Sequence, residues 1–378
     1  MHISKWLLFL LMVGFGWGAI PQPVVAQTPA TGSATGSATA SQKRQVDALF
    51  RQFITANQPG AVVIVVQDGK VLYKNAYGLA NLKKKTPLTV QSQLHFGSCG
   101  KQFTAMGILL LAEEGLLKLD DPLIQHLPEL KRLGKQITIR HLLHHTSGVP
   151  DIYESATLYD QILNLADQPT NQDMLNLLSE TGRKRFVVGE EFFYSNTGYD
   201  LLGSVIERVS GVSYAEFMQS YLFKPLGMKD TFSVPDKKRL KGESIALSYT
   251  SEDDETPELV ASDPFDNLVG SGSFYTTVED MALYEKALLN NTLLPAKSLN
   301  QAFVPGKLNN GSSTDYGFGW EISRFQGQKL IAHDGSWLGF ISYYFRLPQE
   351  KLAVVILLNR DYGYEDDLPS EVVKIFLK

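Results

Sequence analysis

Ser98 and Lys101 are the residues whose types and spacing could do chemistry most directly. They lie just before an apolar run at 106–117, which predicts a buried helix. If that helix begins near Ser98, both side chains share one face of its first turn. A lysine kept neutral by burial or by a nearby positive charge can take the proton of a serine hydroxyl. The pair is therefore a candidate nucleophile and base for acyl transfer, and the helix N-terminus offers N–H groups to the reacting carbonyl.

A second group of candidate residues is Tyr194-Ser195-Asn196, which precedes a predicted helix. Tyr194 could relay protons as a phenolate if neighbouring cations lower its pKa. The Asn196 amide could hold a substrate carbonyl and orient the lysine. Taken alone, the same residues also fit a turn whose Asn caps a helix while the Tyr packs.

A third group, His333-Asp334-Gly335-Ser336, lies at the end of a predicted strand. Gly335 would allow a substrate to approach the backbone closely. The Ser336 N–H could then join the Ser98 N–H in a two-donor oxyanion hole.

Strands near both chain ends, with helices between them, predict an α+β fold. The terminal segments would form one antiparallel sheet flanked by helices, the middle would insert as a mostly helical lobe, and the active site would lie between the two. Segments 149–170 and 249–266 are expected to be loops that shape the pocket, with Tyr153, Tyr249 and Trp337 as candidate lining residues. The predicted strands are 61–67, 71–77, 329–333, 339–347 and 352–358, and the predicted helices are 42–56, 98–117, 139–145, 173–181, 199–210, 279–290 and 365–377.

Composition indicates a globular protein with a large core, since 44% of the 378 residues are hydrophobic and 20% are charged. The net charge of -5 and the absence of a basic run with interleaved aromatics argue against nucleic-acid binding. Cys99 is the single cysteine, so an intrachain disulfide and a cysteine-based metal site are both excluded. Cys99 would point away from the face that carries Ser98, which predicts a small buried hydrophobe.

The N-terminus carries the pattern of a signal peptide at 1–26: one cation at 1–5, an apolar run at 6–20 and a small-residue site ending at Ala26. The apolar run is shorter than a membrane span requires, and no cysteine follows it for lipid attachment. We therefore expect an exported protein, periplasmic or secreted, without a stable membrane anchor after cleavage. A Thr/Gly/Ser/Ala tract at 27–40 predicts a flexible linker.

The three groups in this order resemble the serine β-lactamase and penicillin-binding protein superfamily, particularly its class C-like branch with D-Ala-D-Ala carboxypeptidases, D-aminopeptidases and esterases. Four further stretches also resemble this superfamily: 141–148, 194–198, 270–276 and 316–320. The resemblance implies that 41–378 form one serine hydrolase domain that needs no metal or organic cofactor. It implies that Ser98 forms the acyl-enzyme, that Lys101 and Tyr194 share the proton transfers, and that Asn196, His333, Gly335 and Ser336 bind substrate.

The third group departs from the pattern of class C lactamases, which have Lys-Thr-Gly where this chain has His333-Asp334-Gly335. A histidine is mostly neutral at pH 7.5, whereas a lysine is charged. The substrate carboxylate and a Tyr194 phenolate would therefore lose support. We expect weak or absent β-lactamase activity and a preference for ester or small amide substrates, among them cell-wall peptides.

Other functions fit the sequence less well. His141, His144 and His145 have spacings that could ligate a metal, but the His-Glu-x-x-His pattern is missing. The surroundings of Lys101 do not complete a phosphate-binding loop, and the chain lacks Gly-x-Ser-x-Gly. The alternative from a different class is a non-catalytic member of the fold that binds cell-wall peptide or a protein partner, although such a module needs neither Lys101 nor Tyr194.

Overall fold

The computed structural model describes residues 37–181, 183–234, 239–253, 256–260, 264–364 and 367–377. The predicted signal peptide and the predicted linker up to residue 36 lie outside these ranges. Ala38 is buried, and its N–H donates to the Leu72 carbonyl at 3.0 Å. The Thr39 hydroxyl caps the first helix by accepting from the Gln42 N–H. Within the described ranges, no helix is long and apolar enough to cross a membrane.

Most of the long strands come from the two ends of the described chain. The strands are β1 (Ala61–Gln67), β2 (Lys70–Tyr77), β3 (Leu79–Asn81), β4 (Thr86–Pro87), β5 (Leu94–His95), β6 (Phe232–Ser233), β7 (Tyr249–Thr250), β8 (Glu258–Leu259), β9 (Phe274–Thr276), β10 (Glu321–Phe325), β11 (Gln328–Trp337), β12 (Phe340–Leu347) and β13 (Leu352–Leu358).

The main sheet has six antiparallel strands in the order β10-β11-β12-β13-β1-β2. The N-terminal hairpin β1-β2 joins the C-terminal strands where β1 pairs with β13, with Ala61 opposite Leu358. Strand β13 is buried along its whole length, as its continuous apolar run predicts for a central strand. The predicted α+β fold, with a sheet built from both chain ends, is therefore confirmed.

Helices cover both faces of this sheet and fill the inserted lobe. The helices are α1 (Ala40–Arg51), α2 (Lys101–Glu113), α3 (Leu123–His126), α4 (Ile139–Leu143), α5 (Ala156–Leu165), α6 (Asn171–Thr181), α7 (Asn196–Ser210), α8 (Tyr214–Phe217), α9 (Lys224–Leu226), α10 (Val278–Asn290), α11 (Ala296–Leu299) and α12 (Leu368–Phe376). Short 3-10 turns lie at Gly97–Gly100, Pro128–Leu130, Arg239–Lys241, Pro264–Asn267 and Asn300–Phe303, and a π-helical turn lies at Met218–Phe223.

Alternating side chains of β1 supply the two layers of the core. Val62 and Ile64 pack into the larger cluster, which includes the apolar residues of α2 and α7. Val63 and Val65 point to the opposite face and pack with residues of α1 and α12. The period of two that is intrinsic to a strand thus places one face toward the lobe and the other toward the terminal helices.

Helix α2 is buried over residues 101–111, as the apolar run predicts. It does not begin at Ser98, however, because Gly97–Gly100 form a 3-10 turn and the α-helix begins at Lys101. It also ends at Glu113, four residues earlier than predicted, where Gly115 adopts a left-handed backbone conformation. Ser98 therefore lies in a separate tight turn that leads into the helix.

Two further expectations need correction. The predicted loop at 149–170 contains helix α5, whose start is capped by the Ser155 hydroxyl, and 249–266 contains the short pair β7-β8. The third group of candidate residues lies inside β11, because pairing of β11 with β12 continues as far as Trp337 opposite Phe340. The strand is thus extended past His333 by its partner strand, which local sequence does not reveal.

Candidate active site

The turn Gly97–Gly100 presents Ser98 and Lys101 to each other. Lys101 Nζ lies 3.0 Å from Ser98 Oγ. Ser98 is partly exposed, whereas Lys101 has no exposed surface. The candidate nucleophile is thus reachable from a cavity, while its candidate base lies in the protein interior. The predicted proximity of these two side chains is confirmed.

The Lys101 amine has three hydrogen-bond acceptors around it. Besides Ser98 Oγ, these are Asn196 Oδ1 at 2.7 Å and the Ser271 carbonyl at 2.8 Å. A neutral amine can donate to the latter two and accept the Ser98 proton on its lone pair. This geometry suits a general base, and it uses Asn196 to orient the lysine, as the sequence predicts.

Burial lowers the pKa of Lys101 to about 7, and the Asp200 carboxylate is the largest influence in the opposite direction. The sequence suggested a positive helix end as one cause of a neutral lysine, but loss of hydration is the dominant cause in the folded protein. A substantial fraction of Lys101 is therefore unprotonated near neutral pH and can remove the Ser98 proton.

The Tyr194 ring lies over the lysine, with Lys101 Nζ 4.7 Å from the ring centroid. Burial raises the pKa of Tyr194 well above its ordinary value, and the neighbouring Ser98 hydroxyl offsets only part of this effect. The phenolate role considered from the sequence is therefore disfavoured. The Tyr194 hydroxyl is buried beside Ser98, and it makes no hydrogen bond of standard length and angle to the described residues.

His333 is buried behind this site and is absent from the cavity lining. Its Nε2 lies 2.8 Å from the Tyr316 hydroxyl and its Nδ1 2.5 Å from the Asp334 carbonyl. Burial, followed by the nearby Lys101 charge, lowers the pKa of His333 to about 4, so the imidazole is neutral. His333 thus presents no positive charge to the cavity.

Cys99 is fully buried, as predicted, and its Sγ lies 3.1 Å from the His333 carbonyl oxygen. This contact joins the turn Gly97–Gly100, which we call the nucleophile turn, to β11. Burial raises the pKa of the Cys99 thiol well above its ordinary value. A thiol in this state is not a nucleophile.

Strand β11 lies against the nucleophile turn at Gly335 and Ser336. A Cβ at Gly97 would lie 2.9 Å from the Ser336 nitrogen, and a Cβ at Gly335 would lie 2.8 Å from the Ser98 nitrogen. Only glycines permit two backbone segments to approach this closely. The Ser98 and Ser336 N–H groups therefore belong to touching segments at the cavity, as an oxyanion hole requires.

Ser98 and Ser336 open into a cavity of about 160 Å³. Tyr153 and Trp337 form part of its wall, as expected from the sequence. Tyr249 does not line it, because its hydroxyl instead accepts a hydrogen bond from the Leu82 N–H. The described lining residues are His95, Gly97, Ser98, Tyr153, Asn196, Ser271, Gly272, Ser273, Ser336 and Trp337.

The three histidines of 141–145 point to separate partners. His141 pairs with Thr138, and His144 Nδ1 lies 2.9 Å from the Tyr316 carbonyl. His145 Nδ1 accepts from the Ser195 N–H, and its ring packs on Tyr194 at 4.4 Å between centroids. Within the described ranges, no three His, Cys, Asp or Glu residues cluster closely enough to hold a metal ion. His145 thus supports the Tyr194 turn.

Asp200 and Ser271 are parts of the site that residue-by-residue sequence reasoning missed. Asp200 is fully buried, and its carboxylate accepts from the Ser271 N–H at 2.9 Å and from the Tyr153 hydroxyl at 3.0 Å. The sequence held one signal for Asp200: it follows Asn196 by four residues and therefore lies on the same face of helix α7.

A Ser-x-x-Lys turn between an antiparallel sheet and a helical lobe, facing Tyr-x-Asn, is the arrangement of serine β-lactamases and penicillin-binding proteins. Comparison with known families agrees, since the family model described as Beta-lactamase matches residues 46–373. The chain belongs to this superfamily of serine hydrolases.

Two relatives cover most of the chain. Penicillin-binding protein 4* of Bacillus subtilis (strain 168) is 32% identical over 338 residues, which are 86% of this chain and 73% of that protein. Protein flp of Staphylococcus aureus (strain MW2) is 30% identical over 338 residues, which are 86% of this chain and 65% of that protein. The chain thus spans just under two thirds of the length of flp.

Solved structures share the fold. The octameric penicillin-binding protein homologue from Pyrococcus abyssi superposes with a TM-score of 0.75 at 27% identity, covering 89% of this chain and 76% of that one. FmtA from Staphylococcus aureus superposes with a TM-score of 0.72 at 20% identity, covering 92% of this chain and 93% of that one. The similarity to FmtA concerns the fold alone.

Proposed function

We propose that this protein is an exported serine hydrolase that cleaves small esters or D-amino-acid peptide-like amides through an acyl-enzyme on Ser98. The observation that carries this proposal is the 3.0 Å contact between Ser98 Oγ and a buried Lys101 whose pKa is lowered to about 7. A serine and lysine with ordinary ionisation would be inert at neutral pH.

The geometry supports a two-step reaction. Neutral Lys101 removes the Ser98 proton as Oγ attacks the substrate carbonyl, and the Ser98 and Ser336 N–H groups bind the oxyanion. The bond to the leaving group then breaks, and the leaving oxygen or nitrogen takes a proton from the Tyr194 hydroxyl, which Lys101 replenishes. In the second step, water attacks the acyl-enzyme and gives its proton to Lys101, and Ser98 regains its own proton as the product acid leaves.

The described lining of the cavity has no positively charged side chain, and this favours neutral acyl donors. The described lining residues include no lysine or arginine, and His333 is neutral and buried. A penicillin carboxylate would therefore meet no cation there. This supports uncharged esters and small amides as the better substrates, and it supports slow or absent penicillin turnover. The terminal carboxylate of a D-Ala-D-Ala peptide would meet the same lack of a cation, so we expect such a peptide to react more slowly than an uncharged ester. The name of the Bacillus relative is a reason to test whether a penicillin acylates Ser98.

Export rests on the N-terminal leader pattern of the sequence. We propose that the protein acts in the periplasm or outside the cell, where cell-wall peptides would be available as substrates. Detection of the mature chain, cleaved after Ala26, in an extracytoplasmic fraction would support this location. Retention of the full chain in the cytoplasm would contradict it.

The experiment that tests the proposed function is steady-state kinetics on three substrates: 4-nitrophenyl acetate, a D-Ala-D-Ala peptide and a chromogenic cephalosporin. We expect ester hydrolysis that disappears in Ser98→Ala and cephalosporin turnover that is slow or absent. A matched control is Ser273→Ala, which changes another cavity serine outside the proton path. Absence of hydrolysis of all three substrates, together with binding of cell-wall peptide by Ser98→Ala, would favour the non-catalytic alternative.

A further inference from the structure

The buried Asp200 carboxylate contacts two parts of the site. One is Ser271, whose carbonyl accepts from Lys101, and the other is Tyr153, which lines the cavity. Asp200 Oδ1 accepts from the N–H of Ser271, and the carbonyl of Ser271 accepts from Lys101 Nζ at 2.8 Å. Its Oδ2 accepts from the Tyr153 hydroxyl at 3.0 Å. A single residue therefore lies between the buried carboxylate and the buried amine.

The segment around Ser271 is fixed on its other sides by neutral groups. Asn171 bonds both the N–H and the carbonyl of Val269, at 2.8 and 2.9 Å, and the Thr104 hydroxyl donates to the Gly270 carbonyl at 2.5 Å. A Cβ at Gly270 would lie 2.2 Å from the Tyr199 carbonyl oxygen, so glycine is needed for the segment to lie on α7.

A neutral side chain could satisfy the Ser271 N–H equally well, as Asn171 does for the Val269 N–H. Burying a carboxylate instead costs several kcal/mol. An ionisable carboxyl group at this buried position therefore calls for a role beyond holding the segment. Lys101 is the nearby group on which a negative charge would have the greatest chemical effect, because its proton must leave before Ser98 can react.

We propose that Asp200 is a positioning residue that holds Lys101 through Ser271, sets the pH at which the lysine becomes a base, and ties this setting to the Tyr153 wall of the cavity. This inference rests on the proposed acyl-enzyme chemistry. It adds that Asp200, a residue outside the cavity lining, sets the pH range in which the site is active.

The sign of the effect follows from the charges. Negative Asp200 favours protonated Lys101, so loss of its charge makes Lys101 easier to deprotonate. Burial raises the pKa of Asp200 to about 7, and its hydrogen bonds from Ser271 lower it. Around pH 7 the protonation of each group thus depends on the charge of the other. The other titratable groups that face this pair are Asp151, Asp334, Cys99, His145, His333, Tyr153, Tyr194, Tyr199 and Tyr214.

The test compares Asp200→Asn with wild type in the pH profile of kcat/KM for 4-nitrophenyl acetate. Asparagine removes the charge and keeps an acceptor for the Ser271 N–H. Its amide NH2 then faces Tyr153 in place of Oδ2, and the Tyr153 hydroxyl can accept from it. We expect the acid limb to move to lower pH by up to about one unit, because Asp200 is the largest of the charges that raise the pKa of Lys101. The matched control is Asp280→Asn, a buried carboxylate bonded to Thr231 in another part of the fold, which should leave the limb in place.

Tyr153→Phe provides a second variant if Asp200→Asn does not fold. It removes one hydrogen bond to the carboxylate, which then takes up a proton at higher pH. We expect a smaller shift of the acid limb in the same direction, together with a raised KM, because the freed ring no longer holds the cavity wall.

An independent readout uses protein with isotopically labelled lysine, in which the Lys101 NMR signal is assigned by its loss in Lys101→Arg. Its titration midpoint should fall in Asp200→Asn but not in Asp280→Asn, whether or not the ester is hydrolysed. A folded Asp200→Asn with an unchanged midpoint and an unchanged acid limb would overturn the inference. Absence of Ser98-dependent hydrolysis by wild type, with a shifted midpoint, would instead refute the proposed function alone.

Discussion

Gly335→Ala is the sharpest steric test of the proposed oxyanion hole. Gly335 does not have a left-handed backbone, so alanine adds a methyl group without straining φ. Its Cβ would lie 2.6 Å from Ser342 Oγ, 2.7 Å from the Phe96 carbonyl oxygen and 2.8 Å from the Ser98 nitrogen. Two of these three atoms belong to the backbone and cannot rotate away.

The size of the effect follows from these contacts. Favourable separations between heavy atoms are about 3.5 Å, so strand β11 and the nucleophile turn must part by about half an ångström or more. Removing one oxyanion donor costs about 10²- to 10³-fold in kcat, and a 1 Å misplacement about 10²-fold. We therefore expect kcat for an ester to fall by about 10²-fold, with KM little changed, because the oxyanion forms only in the transition state.

The assay is steady-state ester hydrolysis at a pH where Lys101 is largely neutral, with circular dichroism and thermal melting to verify folding. The matched control is Gly198→Ala on helix α7, where the nearest atoms to a Cβ lie at 3.7 and 3.8 Å. That variant should keep wild-type kcat and be equally or more stable, because alanine favours helix by up to about 1 kcal/mol. A folded Gly335→Ala with wild-type kcat would refute the assignment of this contact to the oxyanion hole.

Three further predictions concern the base, a buried ion pair and acid stability. Lys101→Arg should lower kcat by about 10²- to 10⁴-fold in a folded protein, because guanidinium stays protonated; near-normal kcat would exclude Lys101 as base. Glu285→Gln should lower the free energy of unfolding by about 3–5 kcal/mol in urea titrations, because Arg346 loses its buried partner; a loss below about 1 kcal/mol would contradict this. Stability should fall as pH drops from 6.5 toward 4, because neutral buried histidines take up protons only on unfolding, by up to about 1.4 kcal/mol per histidine per pH unit; equal urea midpoints at pH 7 and 5 would contradict it. These histidines are His95, His144 and His333, whose pKa values burial lowers from 6.5 to about 3, 4 and 4.

The sheet could be predicted from sequence because its central strands carry unambiguous apolar runs. The predicted bounds of β1 and β13 agree with the structure. The end of β11 was less accessible, because it depends on pairing with β12, and β-structure depends on partner strands as much as on local preference. Helix α5 was missed inside a segment taken as loop, although the Ser155 cap was a local signal for its start.

Within the site, the contact between Ser98 and Lys101 could be predicted because two residues three positions apart in a helical stretch lie on the same face. Asp200 could not, because an aspartate in an amphipathic helix usually faces water. Its burial depends on a chain segment 71 residues away that lies on α7. The orientation of the His333 ring could not be predicted either. It depends on a hydrogen bond with the hydroxyl of Tyr316, which lies outside strand β11.

The most direct test of the central claim is intact-protein mass spectrometry after incubation with an activated ester and, separately, with a fluorescent penicillin. We predict a covalent adduct that peptide mapping locates on Ser98 and that Ser98→Ala lacks. The ester adduct should be short-lived and the penicillin adduct slow to form or to hydrolyse. An adduct on another residue, or ester hydrolysis that persists in Ser98→Ala, would contradict the account.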